Sequence, residues 1–302
     1  MSKEKQLGVI VISYNSAATV IETLNSIKEQ TRTDIELVIS DDGSKDNTVE
    51  LVEKWAEDNR AYFKRLKIVK NQINKGIPAN CNQGLKAANA DLVKFIAADD
   101  VMSRNAVEIF AENYGDNSIV QSKVELFGSV EENPSVVRYC ERSYKILKSN
   151  KGGIKELLKQ NYIIAPAIGF LNREKLLKMD GFDERFPEFE DYPMWIKMAD
   201  NGFTFRLLDE RLIKYRLRKK TEKNISGLEK AVYRYYLLEK KKMLLKYHMY
   251  IALFQEASMQ YHVKIGMRYG INSYWYKMSR AMLLLNSRAI HDKLKEWRIK
   301  KK

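Results

Sequence analysis

The apolar positions of the first hundred residues change period at regular intervals. Leu7–Ser13 is a continuous β-branched run, whereas residues 17–30 place Val20, Ile21, Leu24 and Ile27 at helical spacing. Residues 35–40 are again continuous, and Asp46-Asn-Thr48 forms a helix start ahead of Val49, Leu51, Val52 and Trp55. Residues 66–69 predict a third strand, 77–88 a third helix and Leu92–Ala97 a fourth strand. Continuous apolar runs alternating with amphipathic helices across short connections predict an α/β fold, a mixed and mostly parallel sheet with flanking helices.

The pattern is less regular further on. Residues 103–113 predict a helix and 118–127 a strand, while 129–165 show no clear period. Within that stretch Glu131-Glu-Asn-Pro134 and Asn150-Lys-Gly-Gly153 read as loops suited to an acceptor-side flap. Short helices are predicted at 174–179 and 191–200, and a strand at 203–208. After Lys220 the chain turns to helices rich in Tyr, Leu, Met, Lys and Arg, as in 228–246. Domain expectations follow: a catalytic domain at 1–226, made of a nucleotide-binding half (1–100) and an acceptor half (101–226), then a basic amphipathic helical extension at 227–302.

Composition changes the picture in one respect. The net charge of +14 is uneven: residues 1–210 carry 29 Lys+Arg against 33 Asp+Glu, and residues 211–302 carry 24 against 6. The basic excess therefore belongs to the extension, where an anionic membrane surface or a second copy packed through the C-terminal helices is the expected partner. Nucleic acid is not expected, because no recognised module accompanies the basic residues. Two cysteines, no apolar leader and no membrane-spanning run predict a reduced, cytoplasmic protein, with peripheral attachment to the inner face of the cell membrane left open.

Candidate chemistry sits at strand ends, where ligands of an open parallel sheet bind. Four polar clusters fall there: Ser13-Tyr14-Asn15, Asp41-Asp42-Gly43-Ser44, Asn74-Lys75-Gly76 and Asp99-Asp100. Asp-Gly and Asn-Lys-Gly alone read as turns, but four clusters at successive strand ends point to a site. Adjacent carboxylates after a buried strand repel each other and resist desolvation. A hard divalent cation, Mg²⁺ or Mn²⁺, relieves both costs and prefers oxygen and phosphate partners. The three histidines, His248, His262 and His291, share no ligand spacing with carboxylates.

These motifs resemble those of family-2 inverting glycosyltransferases with the GT-A fold. The resemblance rests on Val11-Ile-Ser-Tyr-Asn15, Asp41-Asp-Gly-Ser-Lys-Asp-Asn-Thr48, Asn74-Lys-Gly76 with Asn82 and Gly84, and Asp99-Asp100. It continues through Gly181-Phe-Asp-Glu184, Glu190-Asp-Tyr-Pro-Met-Trp195 and Leu212-Ile-Lys-Tyr-Arg216 with Asn224-Ile-Ser226, so it covers residues 7–226. It implies a nucleotide-sugar donor, UDP-linked, bound by Ser13, Tyr14, Asn15, Asp42, Asn74, Asn82, Asp99 and Arg216. Tyr14 would pack on the base, Asp42 would bond the uracil ring, Asp99 would lie on the ribose side and Arg216 near the diphosphate. Asp100 would ligate the metal, and Asp191 would be the general base toward the hydroxyl of a saccharide or lipid-linked saccharide. Trp195 is expected to pack beneath the site. Such enzymes build surface polysaccharides or glycolipids. The chain departs from the family pattern where Asn80-Cys81-Asn82 replaces Ala-Arg-Asn and where Leu217-Arg218 follows Tyr-Arg in place of a segment bearing histidine. Two rival readings are a sugar nucleotidyltransferase, which would carry a Gly/Arg/Lys-rich N-terminal loop, and a non-catalytic module acting through the basic extension.

Overall fold

The computed structural model describes residues 5–149, 163–187 and 189–219, with Ala257 and Tyr261. The chain divides into two compact units, Met1–Lys220 and Thr221–Lys302, and every element named below belongs to the first. Apart from Ala257 and Tyr261, the expected extension lies outside the described residues, as do its histidines, Asn224-Ile-Ser226 and the loop at 150–153.

Four parallel strands form the centre: β1 (Leu7–Ser13), β2 (Ile35–Asp41), β3 (Arg65–Lys70) and β4 (Leu92–Ala97), in the order β3-β2-β1-β4. The two inner strands β1 and β2 are buried almost throughout, as continuous apolar runs require when both faces are covered. Helices α1 (Val20–Lys28) and α2 (Thr48–Asn59) pack one face, with Val20, Leu24, Ile27, Val52 and Trp55 in a core shared with Val9, Val11, Leu37 and Ile39. Helix α3 (Ile77–Ala87) covers the other face with Cys81 and Leu85 against Ile10 and Val38. Gly84 makes that approach possible, since a Cβ there would stand 2.5 Å from Ile10 Cγ2. Three strand-helix units thus deliver Ser13, Asp41 and Ala97 to one edge of the sheet.

The second half is assembled differently. A two-residue strand, β5 (Val101–Met102), leaves the Asp99-Asp100 corner, and α4 (Ala106–Glu112), β6 (Ser118–Gly128) and α5 (Pro134–Lys148) follow. Helix α5 occupies part of the stretch without clear period. Pro134 of the presumed loop is the first residue of the helix, where a proline costs no hydrogen bond. The short β7 (Leu171–Asn172) adds antiparallel to β4, and α6 (Arg173–Lys178) and α7 (Asp191–Asp200) follow. Strand β8 (Thr204–Leu217) is one element where the sequence shows a break. Its exposed middle, Asp209-Glu210, interrupts the apolar pattern and the register with β6, which skips from Leu207 to Arg211 before pairing resumes, while the strand itself continues. β8 runs parallel to β6 and antiparallel to β5, so its C-terminal end returns to the Asp99-Asp100 corner.

Candidate active site

A cavity of about 940 Å³ opens at the carboxyl edge of the central sheet. Ser13, Tyr14, Asp42, Asn74, Asp99, Asp100, Asp191 and Arg216 all border it, together with Trp195 and Tyr215. Eight of the ten residues anticipated from sequence therefore meet at one place. Asn15 and Asn82 do not.

The turn after β2 is built by Asp41. Its carboxylate accepts from Ser44 N at 2.8 Å, Ser44 Oγ at 2.6 Å and Ser13 Oγ at 2.9 Å. Gly43 takes φ +74°, which a side chain would resist, and the chain reverses there. Asn15, itself at φ 49°, serves that turn: its N–H donates to Ser44 Oγ at 2.9 Å and its side-chain oxygen accepts from Lys45 N at 2.7 Å. With its side chain committed to the turn, Asn15 does not border the cavity.

Asp42 is only 2% exposed. One carboxylate oxygen accepts from Asn71 Nδ2 at 2.8 Å and Lys75 N at 3.0 Å, and the other from Gly76 N at 2.8 Å. The residue thereby shapes the loop between β3 and α3 and reaches the cavity from beneath it. Asn74 holds the same loop by accepting from Gly76 N at 3.1 Å. Asn80, one of the departures from the family pattern, ties the ends of two strands by donating to Ser13 O at 3.1 Å and Ser40 O at 3.0 Å.

Asn82 points elsewhere. Its amide donates to Phe182 O at 2.9 Å and Glu184 Oε1 at 2.7 Å, and accepts from Phe182 N at 2.7 Å. It clamps the Gly181–Glu184 corner to α3, and Gly181, at φ +57°, fits against it because a Cβ would lie 2.3 Å from Asn82 Oδ1. The expected nucleotide contact gives way to this link between the two halves.

At the end of β4, Thr19 and Thr23 of the α1 region donate to Ala98 O at 2.8 Å and Asp100 O at 2.7 Å, holding the corner tightly. Asp100 accepts from Arg216 N at 2.9 Å through one oxygen, and its other oxygen makes no hydrogen bond among the described residues. Burial, reinforced by the Asp99 charge, pushes the Asp100 carboxyl up to about 7 despite that bond. Asp99 accepts two N–H groups of Arg218 on a single oxygen, at 3.1 and 2.7 Å. Arg216 is committed several times over: its Nε donates to Asp99 O at 2.8 Å, it pairs with Glu22, and its guanidinium lies 4.3 Å from the Phe127 ring centroid.

Asp191 borders the same cavity where it opens helix α7, with its carboxylate accepting from Tyr192 N at 2.6 Å. Burial, then the neighbouring Asp191 charge, lifts Glu190 to about 7. Cys81 lies between the two walls: burial raises its thiol, and the charges of Glu190 and Asp42 raise it further. Tyr215 is likewise pushed up to about 12 by burial, with Asp100 and Asp191 both contributing. The acids of the two halves therefore act on common neighbours. Trp195 is 5% exposed and packs in the core of α7 as expected, yet its indole N–H has no acceptor among the described residues.

Two contributors escaped the motif reading. Tyr215 was read only as part of a motif, not as a wall of the site. Lys94 is fully buried on β4, donating to Ile168 O at 2.7 Å and Pro166 O at 3.0 Å and so fastening a cavity wall to the sheet. Burial lowers its ammonium to about 7. A lysine inside the otherwise apolar run Leu92-Val-Lys-Phe-Ile-Ala was the visible signal. Among the described residues no group of three or more His, Cys, Asp or Glu could hold a metal, and no helix is long and apolar enough to cross a membrane.

Comparison with known proteins bears on the family and the fold. The model of glycosyl transferase family 2 matches residues 8–179. The chain is 25% identical over 240 residues to the glycosyltransferase MJ1057 of Methanocaldococcus jannaschii, itself uncharacterised, covering 77% of this chain and 78% of that one. It is 33% identical over 105 residues to the poly-beta-1,6-N-acetyl-D-glucosamine synthase of Staphylococcus aureus, covering 35% of this chain and 24% of the synthase. Among solved structures, residues 1–349 of S. aureus TarS in complex with UDP-GlcNAc superpose with a TM-score of 0.59 at 19% identity, covering 92% of this chain and 80% of that one. Against a longer TarS chain the present one spans 44% of the length. These superpositions show the GT-A fold.

Proposed function

The chain belongs to glycosyl transferase family 2, and we propose that it transfers a sugar from a UDP-sugar to an acceptor hydroxyl with inversion at the anomeric carbon. The observation that carries this reading is the shared cavity, which Asp42, Asp99, Asp100 and Asp191 all border. Its volume is at the upper end of small-ligand sites, roughly 300–1,000 Å³, as a nucleotide sugar requires. The UDP-GlcNAc complex of TarS supports the donor class. Polysaccharide synthesis by the staphylococcal synthase supports a saccharide or lipid-linked saccharide as acceptor, and surface polysaccharide or glycolipid as product.

In this reading Tyr14, which is 43% exposed at the cavity mouth, stacks on the uracil while Asp42 accepts from its ring N–H. Asp99 and Asp100 each retain one carboxylate oxygen without a hydrogen bond among the described residues. Two such hard oxygens suit Mg²⁺ or Mn²⁺, which take one or two carboxylates and complete their shell with phosphates and water. A cation bound there would stabilise the negative charge that develops on the departing diphosphate. Asp191 accepts the proton of the acceptor hydroxyl as its oxygen bonds to the anomeric carbon and the bond to the diphosphate breaks. One base is enough for a single displacement, and Asp191 borders the cavity from a helix of its own, apart from the Asp99-Asp100 corner in the chain.

The test is to incubate the full chain with UDP-sugars and Mn²⁺, select donors by thermal stabilisation, and read the anomeric configuration of the product by proton NMR. An α-linked donor yielding a β-linked product is expected. Retention of configuration, or release of a nucleotide monophosphate, would overturn the proposal.

A further inference from the structure

Asp99 and Asp100 are adjacent carboxylates at a covered corner, where a nearby positive charge offsets their mutual repulsion. Arg218 supplies that charge. Both N–H groups that it gives to Asp99 fall on the same oxygen. The Asp99 side chain is 16% exposed and that of Arg218 71%, so the arginine approaches from the water side of the cavity rim.

The two arginines of this corner are held very differently. Arg216 has its Nε, its terminal nitrogen and its face all engaged. Arg218 has its backbone carbonyl fixed by Asn133 Nδ2 at 3.0 Å, while its guanidinium has no acceptor but Asp99 among the described residues. It is an anchored arm with a free hand.

We propose that Arg218 is a counter-charge that changes partners during donor binding, releasing Asp99 to a divalent cation and turning its guanidinium onto the donor's diphosphate. The proposal rests on the reading of the cavity as a nucleotide-diphosphate site. A cation at the free oxygens of Asp99 and Asp100 draws on the same carboxylate charge as the guanidinium on the other Asp99 oxygen, so a cation arriving alone weakens the Arg218 pair without giving the arginine a new partner. When the diphosphate arrives with the cation, the displaced guanidinium gains phosphate oxygens, which its planar fork matches. Cation and nucleotide therefore bind with positive coupling, and by linkage each raises the affinity of the other by the same factor.

Calorimetry on the full chain tests this, titrating Mn²⁺ alone and then UDP in saturating Mn²⁺ into wild type, Arg218→Gln and Arg218→Lys. Arg218→Gln is expected to bind Mn²⁺ alone about 2- to 5-fold more tightly, the scale of an exposed ion pair. The same variant is expected to bind UDP with Mn²⁺ on the order of tenfold more weakly, through loss of a charged contact. Arg218→Lys keeps the charge without the fork and should fall between the two. A merely structural arginine would move both affinities the same way. Wild-type binding of UDP with Mn²⁺, combined with parallel losses or no change in Arg218→Gln, would overturn the role of Arg218 and leave the nucleotide site standing. No binding of UDP by wild type would remove the site reading itself, and this role with it.

Discussion

The two walls of the cavity treat their polar groups in opposite ways. On the donor side the turn after β2 is fully tied: Asp41 and Asp42 each accept three hydrogen bonds, and Asn80 bridges two strand ends. On the acceptor side polar groups are buried with less company. Glu190 is held up to about 7, and the Trp195 indole N–H lacks an acceptor among the described residues. Saturated hydrogen bonding fixes a receptor in one shape. Buried groups with perturbed protonation mark places where chemistry takes place. The contrast is between a turn fixed by hydrogen bonds, from Asp41 to Gly76, and buried acids of raised pKa at Asp100 and Glu190.

Substitutions can break this division. Asp191→Asn should retain UDP binding by calorimetry while losing transfer by on the order of 10²- to 10⁴-fold in a UDP-release assay; near-normal turnover would remove Asp191 as the base. Asp42→Ala should do the reverse, weakening UDP binding by roughly 10- to 100-fold because three N–H donors lose a charged acceptor. Gly76→Ala probes the joint between the walls. Gly76 sits at φ +96°, where an added Cβ would lie 2.5 Å from Pro187, so about 2 kcal/mol of stability should be lost in denaturant titration. Unchanged stability would mean that this contact is not tight.

A further prediction concerns Lys94. Its folded value of about 7 lies below the ordinary 10.5, so between those limits the unfolded chain binds more protons and stability rises with pH. The contribution is present at high pH and is lost as pH falls through 7. Melting temperatures measured from pH 7 to 9 should therefore climb more for wild type than for Lys94→Met, and identical slopes would show that the ammonium is not so perturbed.

The donor side was the legible part of the sequence. Its strands are continuous apolar runs with polar motifs at their ends, and local spacing alone places Ser13, Asp42 and Asp100 on one edge. The acceptor side was legible only as motifs, because its lining comes from α5 and α7, segments whose meeting with the sheet depends on long-range packing. Asn15 and Asn82 show the limit at the level of side chains. A motif position says that a residue matters, but not whether its amide faces a ligand or, as in Asn82, binds the Phe182 backbone. Lys94 and Tyr215 were hidden for the converse reason, since each lies in a strand whose period reports burial and not the cavity behind it.

The most direct measurement is the structure of the full chain with UDP and Mn²⁺ bound. The account predicts the uracil beside Tyr14 and Asp42, the diphosphate at the Asp99-Asp100 corner, and the terminal phosphate directed toward the wall that carries Asp191. Nucleotide bound with its diphosphate away from Asp99 and Asp100, or outside the cavity bordered by Asp191, would contradict it.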